Sequence, residues 1–249
     1  MNKSEGYSNF IADTVINQIS DTSLEAEVSD RWSIGGTANG GYSMALAAKA
    51  LSKVLPHKDP LSISGHYLDR VEPGPLVIEV EPLKVGKSIS TANVKLIQNS
   101  IEKIRFIGSF TDFSHAKGET YMYRQAPDFP PIEECIKVPF KKGFSPNLEL
   151  QIKKMYTKDS VWWEETSLEN NAELNLYMSW PNGEPYDLFS IILFLDATTP
   201  PIFNRIGARG WVPTISLASY IRSIPSEGPL RVVTKTQFLI DGYLEEDRE

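Results

Sequence analysis

The chain has 249 residues, a formal net charge of −7, and 41% hydrophobic and 23% charged residues. This composition is typical of a globular protein with one large or two small domains, and the absence of a basic block argues against a nucleic-acid-binding surface. The first residues lack the apolar core of a signal peptide, and the longest apolar run, 188–195, is too short to cross a bilayer. We therefore expect a soluble, cytoplasmic protein without membrane insertion.

A glycine-rich loop followed by a helix is predicted at residues 32–55. From Tyr42 onward nearly every position is apolar or alanine, which is typical of a helix buried on all sides. Asn39, Gly40 and Gly41 stand at its start, where unpaired N–H groups and the positive end of the helix dipole can hold a carbonyl oxygen or an anion. The alternative is that the glycines only permit a tight turn. On the first interpretation these three residues are candidate substrate-binding residues.

The hydrophobic pattern changes to a period of two after Pro56, which ends the helix. One strand is predicted before the helix at 24–28, and four follow it at 61–71, 76–83, 89–98 and 103–113. Short turns join the later strands, so the pattern predicts an antiparallel meander with one face covered by the helix.

Prolines at positions 127, 130, 131 and 139 indicate an extended connector. It divides the chain into an N-terminal unit (1–125), a linker (126–147) and a C-terminal unit (148–249). In the second unit, strands are predicted at 148–155 and 172–180 and within 211–224. An apolar helix beginning near Pro185 and ending near Asp196 lies between the last two.

Short motifs of the first unit recur in the second. LDR at 68–70 followed by GPL at 74–76 is matched by YIR at 220–222 followed by GPL at 228–230, and the turn glycine Gly86 is matched by Gly242. Such repetition suggests two copies of one supersecondary unit about a pseudo-two-fold axis. The first copy continues to Phe113 beyond its turn glycine, whereas the second reaches only Glu249. We therefore expect the second sheet to lack its last one or two strands.

With helix, meander and repeat combined, the chain resembles the double hotdog acyl-CoA thioesterases, which include the bacterial type II thioesterases and thioesterase-like proteins. The resemblance covers roughly residues 22–249, and the order and spacing of many short segments carry it. These are WSIGGTANGGY at 32–42, DPL at 59–61, HYL at 66–68, GPL at 74–76, GKS at 86–88, ST at 90–91, QN at 98–99, LDA at 195–197 with Pro200, WVPT at 211–214 and DG at 241–242.

The resemblance implies an α+β fold of two hotdog units, each an antiparallel sheet wrapped around a central helix. It also implies hydrolysis of an acyl-CoA to a free acid and CoA by an oriented water, without a covalent intermediate. The family's aspartate at the second helix corresponds to Asp196 and its threonine on the next strand to Thr214, which are the candidate catalytic residues. The family's late glutamine would lie beyond Glu249 and is absent from this sequence. The CoA thioester is the substrate, and no cofactor is implied.

Each candidate also has a simpler interpretation. Asp196 interrupts an apolar run, where burial would raise its pKa, but it could be a capping or turn carboxylate. Thr214 could be an ordinary β-branched strand residue. His66 lies in an alternating strand and either lines the acyl-CoA site near Asn39 or is a structural histidine.

Other chemistries lack their motifs. No G-x-S-x-G, G-x-G-x-x-G or P-loop occurs, the three histidines lack metal-ligand spacing, and Cys135 has no second thiol to pair with, so no metal site is expected. His57 and His115 fall in turns and are expected at the surface. The alternatives are a non-catalytic acyl-CoA or acyl-carrier binding module and, less favoured because neither helix start contains histidine, a hydratase or dehydratase. The expected partner is an acyl-CoA small molecule, with a homo-oligomer left open.

Overall fold

The computed structural model describes residues 6–164 and 171–249. The parts of the two predicted units at 1–5 and 165–170 lie outside the described residues. The helices are α1 (Gly6–Asp13), α2 (Gly40–Val54), α3 (Leu188–Asp196) and the short α4 (Phe203–Ile206).

The strands of the first half are long and those of the second are shorter. They are β1 (Asn17–Gln18), β2 (Ser23–Val28), β3 (Ser33–Ile34), β4 (Thr37–Ala38), β5 (Asp59–Tyr67), β6 (Gly74–Val85), β7 (Ser90–Gln98) and β8 (Ile101–Thr111). They continue with β9 (Ile136–Lys137), β10 (Lys153–Tyr156), β11 (Glu173–Ser179), β12 (Ser216–Tyr220), β13 (Leu230–Lys235), β14 (Leu239–Ile240), β15 (Tyr243–Leu244) and β16 (Asp247–Arg248).

The first sheet is antiparallel, with the order β1-β2-β6-β7-β8-β5-β12. Its inner face follows from the period of two: in β6, Leu76, Ile78 and Val80 are buried while the residues between them are exposed. Helix α2 lies against this face and packs on β5, β6, β7 and β8. Its all-round apolar sequence agrees with its position, since most of its residues from Gly41 to Leu51 are buried.

The second sheet has the order β16-β13-β11-β10-β9 and is also antiparallel. The inner residues of β11, Leu174, Leu176 and Met178, are fully buried in one core with α3. On the outer face of the sheet, Tyr177 donates a hydrogen bond to the Pro130 carbonyl at 3.0 Å. The proline-containing connector therefore crosses this outer face, while its predicted boundaries at 126–147 stay a prediction.

The two halves meet at the seam, which we define as the antiparallel pairing of β5 with β12. Each of these strands follows the central helix of its own half, so the seam joins equivalent strands. Helices α2 and α3 also pack on each other. Both contacts are those expected of a pseudo-two-fold repeat.

The repeat accounts for the order of the other strands. In the first half β2, β6 and β7 are neighbours, and β11, β13 and β16 are neighbours in the same order in the second. Strand β8 lies between β7 and β5, but among the described residues no strand holds the equivalent position between β16 and β12. The predicted α+β double hotdog is confirmed by this arrangement of two sheets around two central helices.

Two elements differ from the sequence prediction. Of the strand expected at 148–155, only its last residues are extended, because the chain after Pro146 first forms a 3₁₀ turn at Asn147–Leu150 that buries Leu148. The second central helix begins at Leu188 rather than near Pro185, because Asp187 and Ser190 form a reciprocal capping box. No helix in the described part of the chain is long and apolar enough to cross a membrane.

Candidate functional site

The start of α2 is organised by Asn39, which is the N-cap residue and is only 4% exposed. Its Oδ1 accepts a hydrogen bond from the Tyr42 N–H at 3.0 Å, which satisfies one of the free donors of the first turn. Its Nδ2 points the other way and donates to the Asp196 main-chain carbonyl at 2.9 Å and to Asp196 Oδ2 at 3.0 Å. An asparagine can do both because its side chain carries an acceptor and a donor.

Asp196 is the last residue of α3 and lies buried against the start of α2. Besides the Asn39 amide, the Gly41 N–H donates to Asp196 Oδ2 at 3.0 Å. The carboxylate therefore occupies the helix N-terminus that the sequence suggested for an anion, and the protein itself supplies the anion. The structure brings together four of the predicted site residues: Asn39, Gly40, Gly41 and Asp196.

The two glycines are required by close approach of the chains. A Cβ on Gly41 would lie 2.7 Å from the Leu193 carbonyl oxygen and 2.8 Å from the Asp196 Cβ. A Cβ on Gly40 would lie 2.8 Å from Asp196 Oδ2 and 3.1 Å from the Tyr67 ring. Glycine here allows α2, α3 and β5 to converge, which is more than a tight turn requires.

Opposing effects act on the ionisation of Asp196. Burial raises the pKa of its carboxyl, while Arg248, the N–H groups of Gly41 and Gly40, and the Asn39 amide lower it. The net direction is upward. A carboxyl of this kind is a better proton acceptor than an exposed aspartate once it is ionised, because Brønsted basicity follows pKa.

Arg248, on β16, reaches the same carboxylate from the second sheet. Its guanidinium lies 3.5 Å from Asp196 Oδ1 and donates from Nε to Thr198 Oγ1 at 2.7 Å. It also pairs with Glu246, for which burial raises the pKa and Arg248 lowers it. One oxygen of Asp196 thus faces the start of α2 and the other faces a cation.

Tyr67, the last residue of β5, closes the site from the first sheet. Its hydroxyl donates to the Gly40 carbonyl at 2.8 Å, and its ring packs edge-on against Phe106. Burial, and secondarily the charge of Asp196, raise the pKa of Tyr67, so its hydroxyl remains protonated and is a donor at neutral pH.

Thr214 lies two residues before β12 and is half-buried. Its neighbour Ile215 accepts a hydrogen bond from the Tyr67 N–H at 3.0 Å, which places the segment beside the end of β5. The sheet does not include Thr214, since Pro213 has no N–H to donate to a ladder. Within the part of the chain that the structure describes, no hydrogen bond joins Thr214 to Asp196.

His66 is not brought to this group. It precedes Tyr67 in β5, so its side chain lies on the opposite, outer face of the sheet, where it is exposed and opposite Ser216 and Arg105. The expectation that His57 lies at the surface was wrong. It is buried, with Nδ1 2.8 Å from Ser90 Oγ, because the turn after α2 folds back onto β7.

Sequence reasoning did not single out Tyr67 or Arg248 as site residues. The period of two carried a signal for Tyr67, because it shares the inner face of β5 with Ile63. Arg248 lies next to the end of the printed sequence in a charged segment, and only the pairing of β16 with β13 turns it toward Asp196.

Comparison with known families covers most of the chain. Residues 28–111 match the family described as acyl-CoA thioesterase N-terminal domain, and residues 131–249 match the acyl-CoA thioesterase C-terminal domain. The gap between the two matches, 112–130, overlaps the predicted linker only at its start.

Similar individual proteins agree with this architecture. An uncharacterized protein of Mycobacterium bovis is 23% identical over 244 residues, which cover 90% of this chain and 84% of the relative. A Thermobifida fusca structure with a proposed assignment as thioesterase II superposes with a TM-score of 0.87 at 24% identity, covering 100% of this chain and 91% of that one. A hot dog fold protein of unknown function from Alicyclobacillus acidocaldarius gives 0.85 at 16% identity, covering 96% and 90%.

Proposed function

Because the chain belongs to the acyl-CoA thioesterase family, we propose that it hydrolyses an acyl-CoA to the free acid and CoA, with Asp196 activating a water molecule. The observation that carries the proposal is the buried Asp196 carboxylate, held by Asn39 and Gly41 where the central helices of the two halves meet. That position lies next to the seam, so both halves contribute to one site.

In the proposed reaction the water oxygen attacks the thioester carbonyl carbon while Asp196 accepts a proton. The Asp196 oxygen that faces Arg248 is the better placed acceptor, because the other oxygen already takes bonds from Asn39 and Gly41. The C–S bond then breaks, and the CoA thiolate takes up the proton. The steps use protein groups and water only, and Thr214 would help to orient the water.

The test is thiol release from a panel of acyl-CoAs of different chain length. We expect turnover by the wild-type chain and a fall in kcat of about 10²–10⁴-fold for Asp196→Asn, the range for losing a general base. Asp21→Asn is the matched control, because Asp21 is exposed and distant in sequence from the site residues. No release by the wild type, or unchanged kcat in Asp196→Asn, would contradict the proposal.

The alternative function is binding of an acyl-CoA or an acylated carrier without turnover. The same panel separates the two functions when equilibrium binding is measured beside thiol release. Measurable affinity with no release at any chain length would favour the binding module, and release would reject it.

A further inference from the structure

Two hydrogen bonds at the start of α2 act on a single peptide group. The carbonyl of Gly40 and the N–H of Gly41 belong to the same planar unit. Tyr67 donates to that carbonyl at 2.8 Å, and the N–H donates to Asp196 Oδ2 at 3.0 Å. The peptide is thus held at both ends, by β5 on one side and by α3 on the other.

The Gly40 carbonyl also accepts the helix bond from Met44, because α2 begins at Gly40. Its second lone pair takes the Tyr67 bond, which comes from outside the helix. On the other side of the peptide, Asp196 Oδ2 accepts from the Gly41 N–H and also from the Asn39 amide. Tyr67 is therefore the side chain that ties this peptide to the first sheet.

We propose that Tyr67 is a positioning residue for Asp196: its hydroxyl fixes the Gly40–Gly41 peptide so that the Gly41 N–H points at the carboxylate. The inference rests on the proposed function for its catalytic consequence, but the geometry it describes exists in the resting protein. Among the described residues the Tyr67 hydroxyl bonds to the Gly40 carbonyl and makes no hydrogen bond to the carboxylate, so it acts on Asp196 through the peptide.

The other charged and titratable groups facing Asp196 are Arg248 and, behind it, Glu246. Arg248 lies on β16 and Glu246 just before it, and neither forms a hydrogen bond to the Gly40 carbonyl among the described residues. Replacing Tyr67 by phenylalanine keeps the ring against Phe106 and Gly40, and it keeps the main-chain bond from Tyr67 to Ile215. The substitution therefore removes only the bond to the peptide.

The experiment compares the wild-type chain with Tyr67→Phe. Tyr220→Phe is the matched control, because the Tyr220 side chain is 62% exposed and lies on the outer face of the sheet, opposite to the buried Ser219. Steady-state hydrolysis gives kcat and KM. A carbon-13 NMR titration of the Asp196 carboxyl, assigned with Asp196→Asn, reports its protonation in the absence of substrate.

For Tyr67→Phe we expect kcat to fall about tenfold with KM within about twofold of wild type, the size of effect expected for one weakened hydrogen bond to a charged group. The Asp196 titration midpoint should move to higher pH, because a misdirected Gly41 N–H stabilises the ionised form less. Tyr220→Phe should match wild type in both measurements.

The two measurements keep the inference separate from the proposed function. If the wild type releases no thiol but the Asp196 midpoint still moves in Tyr67→Phe, the function fails and the positioning role stands. If the midpoint is unchanged in a folded Tyr67→Phe protein, the positioning role is overturned, whatever happens to kcat.

Discussion

Asp196 carries its charge at the unfavourable end of its own helix. A carboxylate at a helix C-terminus is repelled by the dipole, whereas one at an N-terminus is stabilised. The tertiary fold resolves this conflict by placing the last residue of α3 against the first turn of α2, where Asn39 and Gly41 donate to it. The capping interpretation and the functional interpretation of Asp196 thus describe the same contact, since the residue binds the start of another helix.

The raised pKa of Asp196 predicts a pH-dependent stability. The folded state holds this proton more tightly than the unfolded chain, where an aspartate titrates near about 3.9. The contribution of the Asp196 carboxyl to the free energy of unfolding is therefore complete below the unfolded pKa. It is lost as the pH rises through the raised pKa of the folded state. The melting temperature of Asp196→Asn should rise relative to that of the parent as the pH increases above about 4. The difference should become constant once Asp196 is fully ionised in the parent.

Melting curves between about pH 3 and pH 8 measure that difference. Glu246 lies close by and its pKa is also raised, so the comparison should be repeated in a Glu246→Gln background, where the dependence on Asp196 should persist. A difference between parent and Asp196→Asn that stays constant over the whole range would show that the folded state does not hold the Asp196 proton more tightly.

At the scale of single residues, the structure brings together the predicted residues at the start of α2 and the end of α3, but the sequence did not name all of their neighbours. Asp196 was named as a candidate through the family resemblance, and its position inside an apolar run indicated only that it would be buried. Arg248 could not, because its proximity to Asp196 depends on how two sheets curve around two helices. His66 and Tyr67 are adjacent in sequence, and the alternation places Tyr67 on the same face as the buried Ile63, which argued against His66 at the site.

At the scale of elements, the junction between α2 and α3 depends on Gly41. Alanine in place of glycine in a helix usually stabilises by roughly 0.5–1 kcal/mol. Here the added Cβ would meet the main-chain carbonyl oxygens of Leu193 and Ile192 at 2.7 and 2.9 Å, and main-chain atoms of a packed helix cannot move aside as a flexible side chain does.

We expect Gly41→Ala to reverse the usual sign and destabilise the protein by about 1–3 kcal/mol, the range for overpacking. Urea unfolding followed by tryptophan fluorescence measures the change. Lys53→Ala is the control in the same helix, because Lys53 is exposed and alanine has the higher helix propensity. A Gly41→Ala protein as stable as the parent would contradict the proposed requirement for glycine where α2 meets α3.

The elements that the sequence predicted well are those in which hydrophobic residues recur with a clear helix or strand period. The helix expected from the apolar stretch at 42–55 is α2, Gly40–Val54, and the strand expected at 89–98 is β7, Ser90–Gln98. The segment at 148–155 failed because Pro146 and the burial of Leu148 favour a 3₁₀ turn over its weak alternation. The local pattern decides an element only where no proline or cap competes with it.

At the scale of the molecule, the two halves share one core. Trp32 of the first half lies edge-on to Trp180 of the second, with ring centroids 6.2 Å apart, and Phe10 packs on both. The seam adds main-chain bonds between β5 and β12. Neither half buries its apolar surface alone, so we expect one cooperative unfolding transition.

The hydrogen-bond pattern of the seam gives a direct test of that coupling. The Tyr67 N–H donates to Ile215 at one end and the Ile221 N–H donates to Leu61 at the other. Because bonded and non-bonded pairs alternate in an antiparallel ladder, the Ser219 N–H points at β5 and the Ala218 N–H points away. Proline at position 219 removes a seam bond, whereas proline at position 218 removes none.

We expect Ser219→Pro to destabilise the whole protein by about 1–3 kcal/mol, because it leaves a seam carbonyl unpaired, and Ala218→Pro to cost distinctly less. The loss should appear as one transition at lower urea, seen equally by tryptophan fluorescence and by far-ultraviolet circular dichroism, because the seam couples the two halves. Ser219→Ala controls for the side chain and should be nearly neutral, since the buried Ser219 Oγ has no hydrogen-bond partner among the described residues. Two separate transitions in Ser219→Pro would mean that each half is stable by itself, and the site built where the halves meet would then depend on docking of two preformed units.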